Sequence, residues 1–290
     1  MPFGGCLVHG PLKAVDEAVG QVRVTPRGGV LPWSFTLGEM IQLVRVVGGD
    51  LTLPRELKTM TGVRANVEPS PASRPGLSPA DAFLIEPNTT AEMHYRGFVL
   101  QRARTVRALI EPLADSSPDP EVGAMARAWF ERGIMLRDEP LREELGPRLA
   151  ALVAGDTGEA DLHRDVFRHA RGAERGVEEG LRDLLPLLDK PAGLVTSTWR
   201  YMPGGRPMHW PVDLRDHVLK AGQTLGLPVF EPWRFVKAFG VTKAMAPNMT
   251  HYRKEVLLPL GEALVAFTVG FLGGTATSGA SATHALALQR

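Results

Sequence analysis

The sequence predicts an α/β protein in which helices wrap a parallel sheet, with a helical insertion near the middle of the chain. Short β-branched or aromatic runs that end at Gly, Pro or Asn alternate with segments whose apolar residues recur at helical spacing. The runs are largely apolar, as in strands covered on both faces. Between residues 111 and 189 the spacing is helical with no strand. We therefore expect an α/β core formed by 1–110 and 190–290, and an inserted cap formed by 111–189.

The individual elements follow from the same patterns. The chain begins with barely half a strand, and further strands are predicted at 22–24, 82–85, 193–197 and 227–230. Helices of the core are predicted at 12–19, 37–47, 91–113, 213–225 and 255–267. The cap is predicted to consist of helices at 120–136, 139–153 and 161–188.

Composition excludes several classes of protein. The chain has 290 residues, of which 44% are hydrophobic, and a single Cys, so it is neither a disordered chain nor a disulfide scaffold. The first ten residues lack the basic and apolar regions of a signal peptide, and we expect a cytoplasmic protein. The longest apolar stretch, 263–272, has about ten residues, against roughly 20 needed to cross a bilayer. We expect no membrane segment.

Charge is distributed unevenly along the chain. The segment 111–189 holds 18 acidic residues and 10 Arg with no Lys, for a net charge of −8, which leaves +9 on the remainder. The basic part could attract an anion such as a phosphorylated cofactor or a carboxylated substrate. The alternative is that the acidic segment is simply a set of solvated helices.

The turn after the first strand carries the only Cys. In an open parallel sheet, ligands bind beyond the carboxyl ends of the strands, so the residues that follow each strand are candidates. Cys6 stands there in a Gly-rich turn just before a helix. A helix N-terminus lowers the pKa of a thiol and favours its nucleophilic thiolate form. Alternatively, Cys6 is a small buried apolar residue.

The turns after the next two strands offer hydrogen-bond donors. Gly28 and Gly29 follow the second strand, and Asn88 follows the third. A Gly backbone N–H and an Asn side chain that face the Cys6 amide would form an oxyanion hole. Alternatively, the glycines make an ordinary turn and Asn88 caps a helix that begins near Ala91.

A possible base precedes the last helix. His251 could take the proton of Cys6, while Asn248 could bind the imidazole and fix its tautomer, because Cys, His and Asn together form a known acyl-transfer set. The alternative is a capped helix start in which His251 lies on the surface.

The order of these motifs resembles the SGNH (GDSL-like) hydrolase and acyltransferase superfamily. The particular likeness is to its branch with a Cys nucleophile, the capsule-polysaccharide acetyltransferase-like proteins. The resemblance implies a flavodoxin-like three-layer α/β/α fold over 1–110 and 190–290. It also implies Cys6 as nucleophile, Gly28 or Gly29 with Asn88 as oxyanion donors, and His251 as base. The family's Asp in the last motif is Asn248 here.

Two further groups are candidates for substrate binding. Glu86, His94 and Tyr95 cluster with Glu92 after the third strand, and one of the acids could be a general base with His94 or orient it. A long aromatic and basic loop follows the fourth strand, and its composition favours contact with a planar or anionic ligand. Its candidates are Trp199, Arg200, Arg206 and His209.

Several cofactors and partners are not expected. The eight His are scattered without a ligand-type pair, so no metal site is predicted. Neither phosphate-binding nor dinucleotide-binding glycine motifs occur. A net charge of +1 without a recognition fold argues against nucleic acid. The expected partner is a small-molecule or sugar substrate, and nothing in the sequence defines the oligomeric state.

These observations favour an enzyme. The leading hypothesis is an SGNH-like acyltransferase or esterase-type hydrolase that acts through a Cys6 thioester with His251 as base. For transfer, coenzyme A is the expected acyl donor, with its phosphates against Arg200 and Arg206. A second hypothesis is a displacement or cyclisation with His251 or Glu86 as base and no acyl intermediate. A third is a ligand-binding or partner-binding protein that has lost the chemistry.

Overall fold

The structure is a computed structural model. It describes residues 1–4, 6–19, 34–63, 80–196, 210–247 and 251–273, with the side chains of residues 6 and 210–212 outside the description. The predicted strand at 22–24 also lies outside the described residues.

The strands follow in chain order. They are β1 (Pro2–Phe3), β2 (Phe83–Ile85), β3 (Ala91–Tyr95), β4 (Phe98–Leu100), β5 (Arg171–Glu174), β6 (Ala192–Val195) and β7 (Val229–Phe230).

The helices are interspersed with these strands. They are α1 (Cys6–Val19), α2 (Leu37–Val47), α3 (Lys58–Thr61), α4 (Arg102–Thr105), α5 (Glu111–Ser116), α6 (Pro120–Ala128), α7 (Glu139–Leu152), α8 (Gly158–His169), α9 (Val177–Leu184), α10 (Trp210–Leu225), α11 (Pro232–Phe239), α12 (Val241–Ala244) and α13 (Lys254–Leu272). Short 3-10 turns occur at Arg55–Leu57 and Leu185–Leu187, and π-helical segments at Val106–Ile110 and Trp129–Met135.

The chain divides into two compact units. The first unit contains Met1–Leu37, Pro75–Asn88 and Val177–Arg290, and the second contains Gly38–Arg74 and Thr89–Gly176. These bounds differ from the expected core and cap, because 38–74 and 89–110 join the helical segment in the second unit. Helix α9, from the expected cap, belongs to the first unit, where it packs against α10.

The first unit contains a parallel sheet of four strands in the order β1-β2-β6-β7. The predicted α/β class and parallel sheet are confirmed. Residues 193 and 194 of β6 show where the helices lie: a Cβ at Gly193 would meet Phe267 and Phe271 of α13, while Leu194 lies near Gly222 of α10. Successive residues of a strand point to opposite faces, so β6 has a helix on each face.

The core of the first unit lies between the sheet, α1 and α13. Buried residues from these elements form one cluster that includes Val8, Leu84, Val195, Val256 and Leu260. By length and composition, α13 is long and apolar enough to cross a membrane, the one such helix among the described residues. Its 19 residues extend well beyond the apolar stretch 263–272, on which the expectation of no membrane segment was based.

The second unit contains a three-stranded antiparallel sheet in the order β4-β3-β5. The predicted helix at 91–113 is wrong for its first ten residues, which form the β3–β4 hairpin. Arg96 and Gly97 form its two-residue turn with φ values of 49° and 82°. Positive φ at both positions is the geometry that matches the twist of the flanking strands.

The predicted helix at 161–188 is also wrong in part. It is divided by β5, which pairs with β3 in antiparallel register. The expectation of no strand between 111 and 189 therefore fails. The sequence of β5, Arg-Gly-Ala-Glu, is polar and partly exposed at the sheet edge. It therefore lacks the apolar run by which the other strands were predicted.

Candidate functional site

The carboxyl edge of the parallel sheet brings four residues to the ends of four neighbouring strands. Gly4 follows β1, Glu86 follows β2, Thr196 follows β6 and Glu231 follows β7. Parallel strands end at the same edge, and this edge is where open α/β sheets bind ligands. This edge is therefore the expected position of a functional site in the first unit.

Glu86 is a fully buried carboxylic acid at this edge. Its backbone N–H donates to the carbonyl oxygen of Phe3 at 2.7 Å, which extends the pairing of β1 and β2 by one residue. A Cβ at Gly4 would lie 2.7 Å from the Cβ of Glu86 and 2.8 Å from its Oε2. Only glycine at position 4 leaves room for this side chain.

Cys6 is the first residue of α1, two residues after Gly4. The helix has 14 residues and begins directly beyond the sheet edge, so its first backbone N–H groups and partial positive charge lie there. Three residues further along α1, burial and the positive amino group of Met1 lower the pKa of His9 to about 4. His9 is therefore neutral at pH 7.

Asn88 is held by backbone contacts. Its Nδ2 donates to the carbonyl oxygen of Glu86 at 3.1 Å, and its backbone N–H donates to the carbonyl oxygen of Phe35 at 2.8 Å. The alternative role as a helix cap is excluded, because the chain continues into β3 instead of a helix. Its predicted role as an oxyanion donor stays a prediction.

Glu231, which follows β7, forms ion pairs with two arginines. The Nε of Arg215 on α10 donates to its Oε2 at 3.0 Å, and the Nη2 of Arg234 on α11 pairs with its Oε1 at 2.6 Å. The Glu231 side chain is 8% exposed. Arg215 also pairs with Asp216 at 2.9 Å, so the two arginines and two acids of this cluster balance in charge.

Thr196, after β6, is fully buried, and its hydroxyl has no hydrogen-bond partner among the described residues. Glu231 directly follows the predicted strand at 227–230 and could have been found by that position, whereas Thr196 fell inside the predicted strand at 193–197.

His251 lies in the turn between α12 and α13 and is exposed. Its carbonyl oxygen accepts from the backbone N–H of Ala246 at 2.8 Å, next to an isolated antiparallel bridge between Met245 and Tyr252. Its predicted role as base stays a prediction. The other predicted site residues, Gly28, Gly29, Trp199, Arg200, Arg206, His209 and Asn248, lie outside the described residues.

His94 and Tyr95 belong to the second unit, on β3. The Nε2 of His94 lies 2.8 Å from Oε2 of Glu92. In a helix these two residues would not share a face, but residues i and i+2 of a strand do. The Tyr95 hydroxyl donates to Asp165, and burial together with this bond raises the pKa of Tyr95.

Among the described residues, no group of three or more His, Cys, Asp or Glu is placed to hold a metal ion.

One comparison with known proteins gives a match. The family model of the TviD N-terminal domain matches residues 1–267. The chain belongs to this family. No curated protein and no solved structure matches it.

The TviD N-terminal domain is a domain of a Vi capsule polysaccharide-related protein. Membership agrees with the capsule-polysaccharide part of the resemblance drawn from the sequence. The match spans segments of both units. The SGNH relationship and the identity of the nucleophile stay predictions.

Proposed function

We propose that this TviD N-terminal domain is a capsule polysaccharide-modifying acyltransferase with Cys6 as nucleophile. The observation that carries the proposal is the start of α1 at Cys6, directly beyond the carboxyl edge of a parallel sheet. A thiol at such a helix start is favoured as thiolate. Family membership supports a polysaccharide as the acceptor.

The sheet supports a flavodoxin-like core of the SGNH type. Flavodoxin-like sheets have the strand order 2-1-3-4-5. The order β1-β2-β6-β7 corresponds to strands 1, 3, 4 and 5 of that series. Helices on both faces of β6 agree with three layers.

The proposed reaction has two steps. The Cys6 thiolate attacks the acyl carbonyl of the donor, a bond from sulfur to the acyl carbon forms, and the bond from that carbon to the donor's leaving group breaks. An acceptor hydroxyl then attacks the Cys6 thioester, gives its proton to His251 and leaves as the ester, while Cys6 is released as thiolate. Backbone N–H groups near the α1 start and Asn88 would bind the developing oxyanion.

Acyl-coenzyme A is the donor we propose, with coenzyme A as the leaving group and Arg200 and Arg206 as contacts for its phosphates. Arg234 is a further candidate for contact with an anionic donor, because its side chain is 63% exposed at the same edge of the sheet.

The test is alkylation of Cys6 by iodoacetamide as a function of pH. The chain has a single Cys, so the modified residue is unambiguous. We expect an apparent pKa below the roughly 8.5 of a free thiol, and a higher value in His251→Ala. The exposed His217 on α10 gives a matched control, His217→Ala, which should not change the pKa. An ordinary pKa that neither substitution changes would contradict the thioester mechanism.

A second function is favoured by Glu86. A fully buried carboxyl group at the sheet edge is suited, in its ionised form, to act as a base for a displacement or cyclisation without an acyl intermediate. In that case Cys6→Ala keeps activity and Glu86→Gln abolishes it. The acyltransferase hypothesis requires Cys6→Ala to be inactive.

A further inference from the structure

The second unit contains a side-chain cluster that the Cys6 chemistry does not use. Glu92 is 2% exposed on β3, where its Oε1 accepts from the backbone N–H of Gly38 at 2.8 Å. The same oxygen lies 3.5 Å from Nε of Arg175. Its other oxygen, Oε2, lies 2.8 Å from Nε2 of His94. These contacts hold the carboxylate from three sides.

Glu92 fixes the tautomer of His94. The hydrogen bonds from His94 and Gly38 and the charge of Arg175 outweigh burial and lower the pKa of Glu92, so it is ionised at pH 7. An ionised carboxylate only accepts hydrogen bonds, so Nε2 of His94 carries the proton. When the imidazole is neutral, Nδ1 is therefore its acceptor nitrogen.

Nδ1 of His94 is available to a ligand. The side chain is 33% exposed, and Nδ1 has no hydrogen-bond partner among the described residues. A buried carboxylate behind a partly exposed imidazole is the arrangement by which enzymes orient a histidine toward a hydroxyl group.

A cation stands next to this imidazole. Arg171 on β5 is directly opposite His94 in the antiparallel register, so both side chains lie on the same face of the sheet. Arg171 is exposed and makes no ion pair with a described residue. Glu174 points to the opposite face, where it pairs with Arg137, and Glu92 is already neutralised by Arg175.

We infer that this face of the second sheet binds a ligand that carries both an oxyanion and a hydroxyl group. Arg171 pairs with the oxyanion, and Nδ1 of His94 accepts a hydrogen bond from the hydroxyl. Carboxylated and phosphorylated sugars have this chemistry. The inference does not depend on Cys6, and Cys6→Ala should bind the ligand unchanged.

The test uses three probes that share one sugar ring. Glucuronate carries a carboxylate, glucose 6-phosphate a phosphate, and glucose neither charge. Titration into the full chain labelled with nitrogen-15 would follow the imidazole signals of His94 and the backbone amides of β3 and β5. We expect saturable shifts with one or both charged sugars and none with glucose. Whichever charged sugar binds identifies the oxyanion.

Variants assign the contacts. Arg171→Ala should weaken the charged sugar about tenfold, as expected for a lost charge-assisted hydrogen bond. Arg168→Ala, at an exposed position on α8 of the same unit, is the matched control and should leave the affinity unchanged. His94→Gln should also weaken binding. Arg171 is exposed, so its variant should fold even if the His94 variant does not.

Three results would overturn the inference. One is equal binding of glucose and the charged sugars, or binding of none of them. Another is an affinity that Arg171→Ala leaves unchanged. The third is a His94 imidazole whose proton sits on Nδ1, since the same spectra distinguish the protonated nitrogen in the free protein.

Discussion

Each unit of this protein buries one glutamate against a glycine at the start of a helix. In the first unit Glu86 lies over Gly4, just before α1, and in the second Glu92 lies over Gly38, at the start of α2. In both cases a Cβ on the glycine would stand closer than 3 Å to the acid. The packing of a buried glutamate against a glycine is the same in both units, but the groups around the two carboxyl groups differ.

The difference lies in what the carboxylates face. Glu92 contacts Gly38, His94 and Arg175, so its charge is largely accounted for inside the second unit. Glu86 stands at the carboxyl edge of the parallel sheet, next to the start of the helix that carries Cys6. A buried acid can therefore serve as an anchor in one unit and stand at a candidate catalytic edge in the other.

The largest effect is expected from removal of the anchor. Glu92→Ala removes the acceptor of the Gly38 N–H and one carboxylate partner of Arg175, and we expect it to lower the free energy of unfolding of the second unit by about 3 kcal/mol. Hydrogen exchange of the β3 and α2 amides measures this loss. Glu131→Ala, an exposed acid of the same unit, should change it by no more than about 0.5 kcal/mol. Equal effects of the two variants would mean that Glu92 is no anchor.

The two glycines provide a sharper comparison. Gly4→Ala and Gly38→Ala should each cost about 2 kcal/mol by overpacking. At position 38 the three closest atoms all belong to the carboxylate group of Glu92, so the shorter Glu92→Asp should relieve the clash. At position 4 the Cβ of Glu86 itself is 2.7 Å away, so Glu86→Asp should not.

Double-mutant cycles on both pairs, monitored by thermal unfolding, measure this difference as a coupling energy. Strong coupling for Gly38 with Glu92 and weak coupling for Gly4 with Glu86 is the expected result. Similar relief at both sites would show that the backbone of β2 moves to accommodate the new methyl group.

The smallest effect is a difference in acid sensitivity. The pKa of His9 falls from 6.5 to about 4 on folding. The unfolded chain therefore binds the proton first, and the first unit loses stability as the pH falls from about 6.5 to 4. Its slope should stay below the limit of about 1.4 kcal/mol per pH unit for one proton.

Glu92 contributes to the stability of the second unit over a different pH range. Its pKa is lowered from 4.5 on folding, so its stabilisation is complete above pH 4.5 and is lost as the pH falls through the lower folded value. Protection of α1 and β3 amides, compared across this range, separates the two units. His9→Gln should flatten only the first response and Glu92→Gln only the second. A shared response that neither variant alters would contradict both assignments.

The sequence predicted those helices and strands in which the spacing of apolar residues matches the buried face of the element. The strands at 82–85 and 193–197 and the helices at 37–47, 139–153 and 213–225 lie where the patterns indicated, with shifts of a few residues at their ends. Two-sided burial in a parallel sheet makes a strand visible as a continuous apolar run.

The strands of the second sheet were harder to predict because they do not form continuous apolar runs. The β3–β4 hairpin is too short to show clear alternation, and β5 carries two charged residues among four. Arg96-Gly97, a two-residue connection ending in Gly, was the one local signal of a turn. The acid that orients His94 could not be assigned to Glu92 from the sequence, because the side chains of residues i and i+2 in the predicted helix would lie on different faces.

The interleaving of the two units has a consequence for synthesis. The second unit is complete once Gly176 has left the ribosome, whereas the sheet of the first unit still lacks β6, β7 and α13. Domains fold as units while the chain emerges. We therefore expect the nascent chain to carry a folded second unit while β2 still lacks its neighbour β6 and α1 still lacks α13, against which it packs. During that interval the apolar surface of these segments is exposed and prone to aggregation.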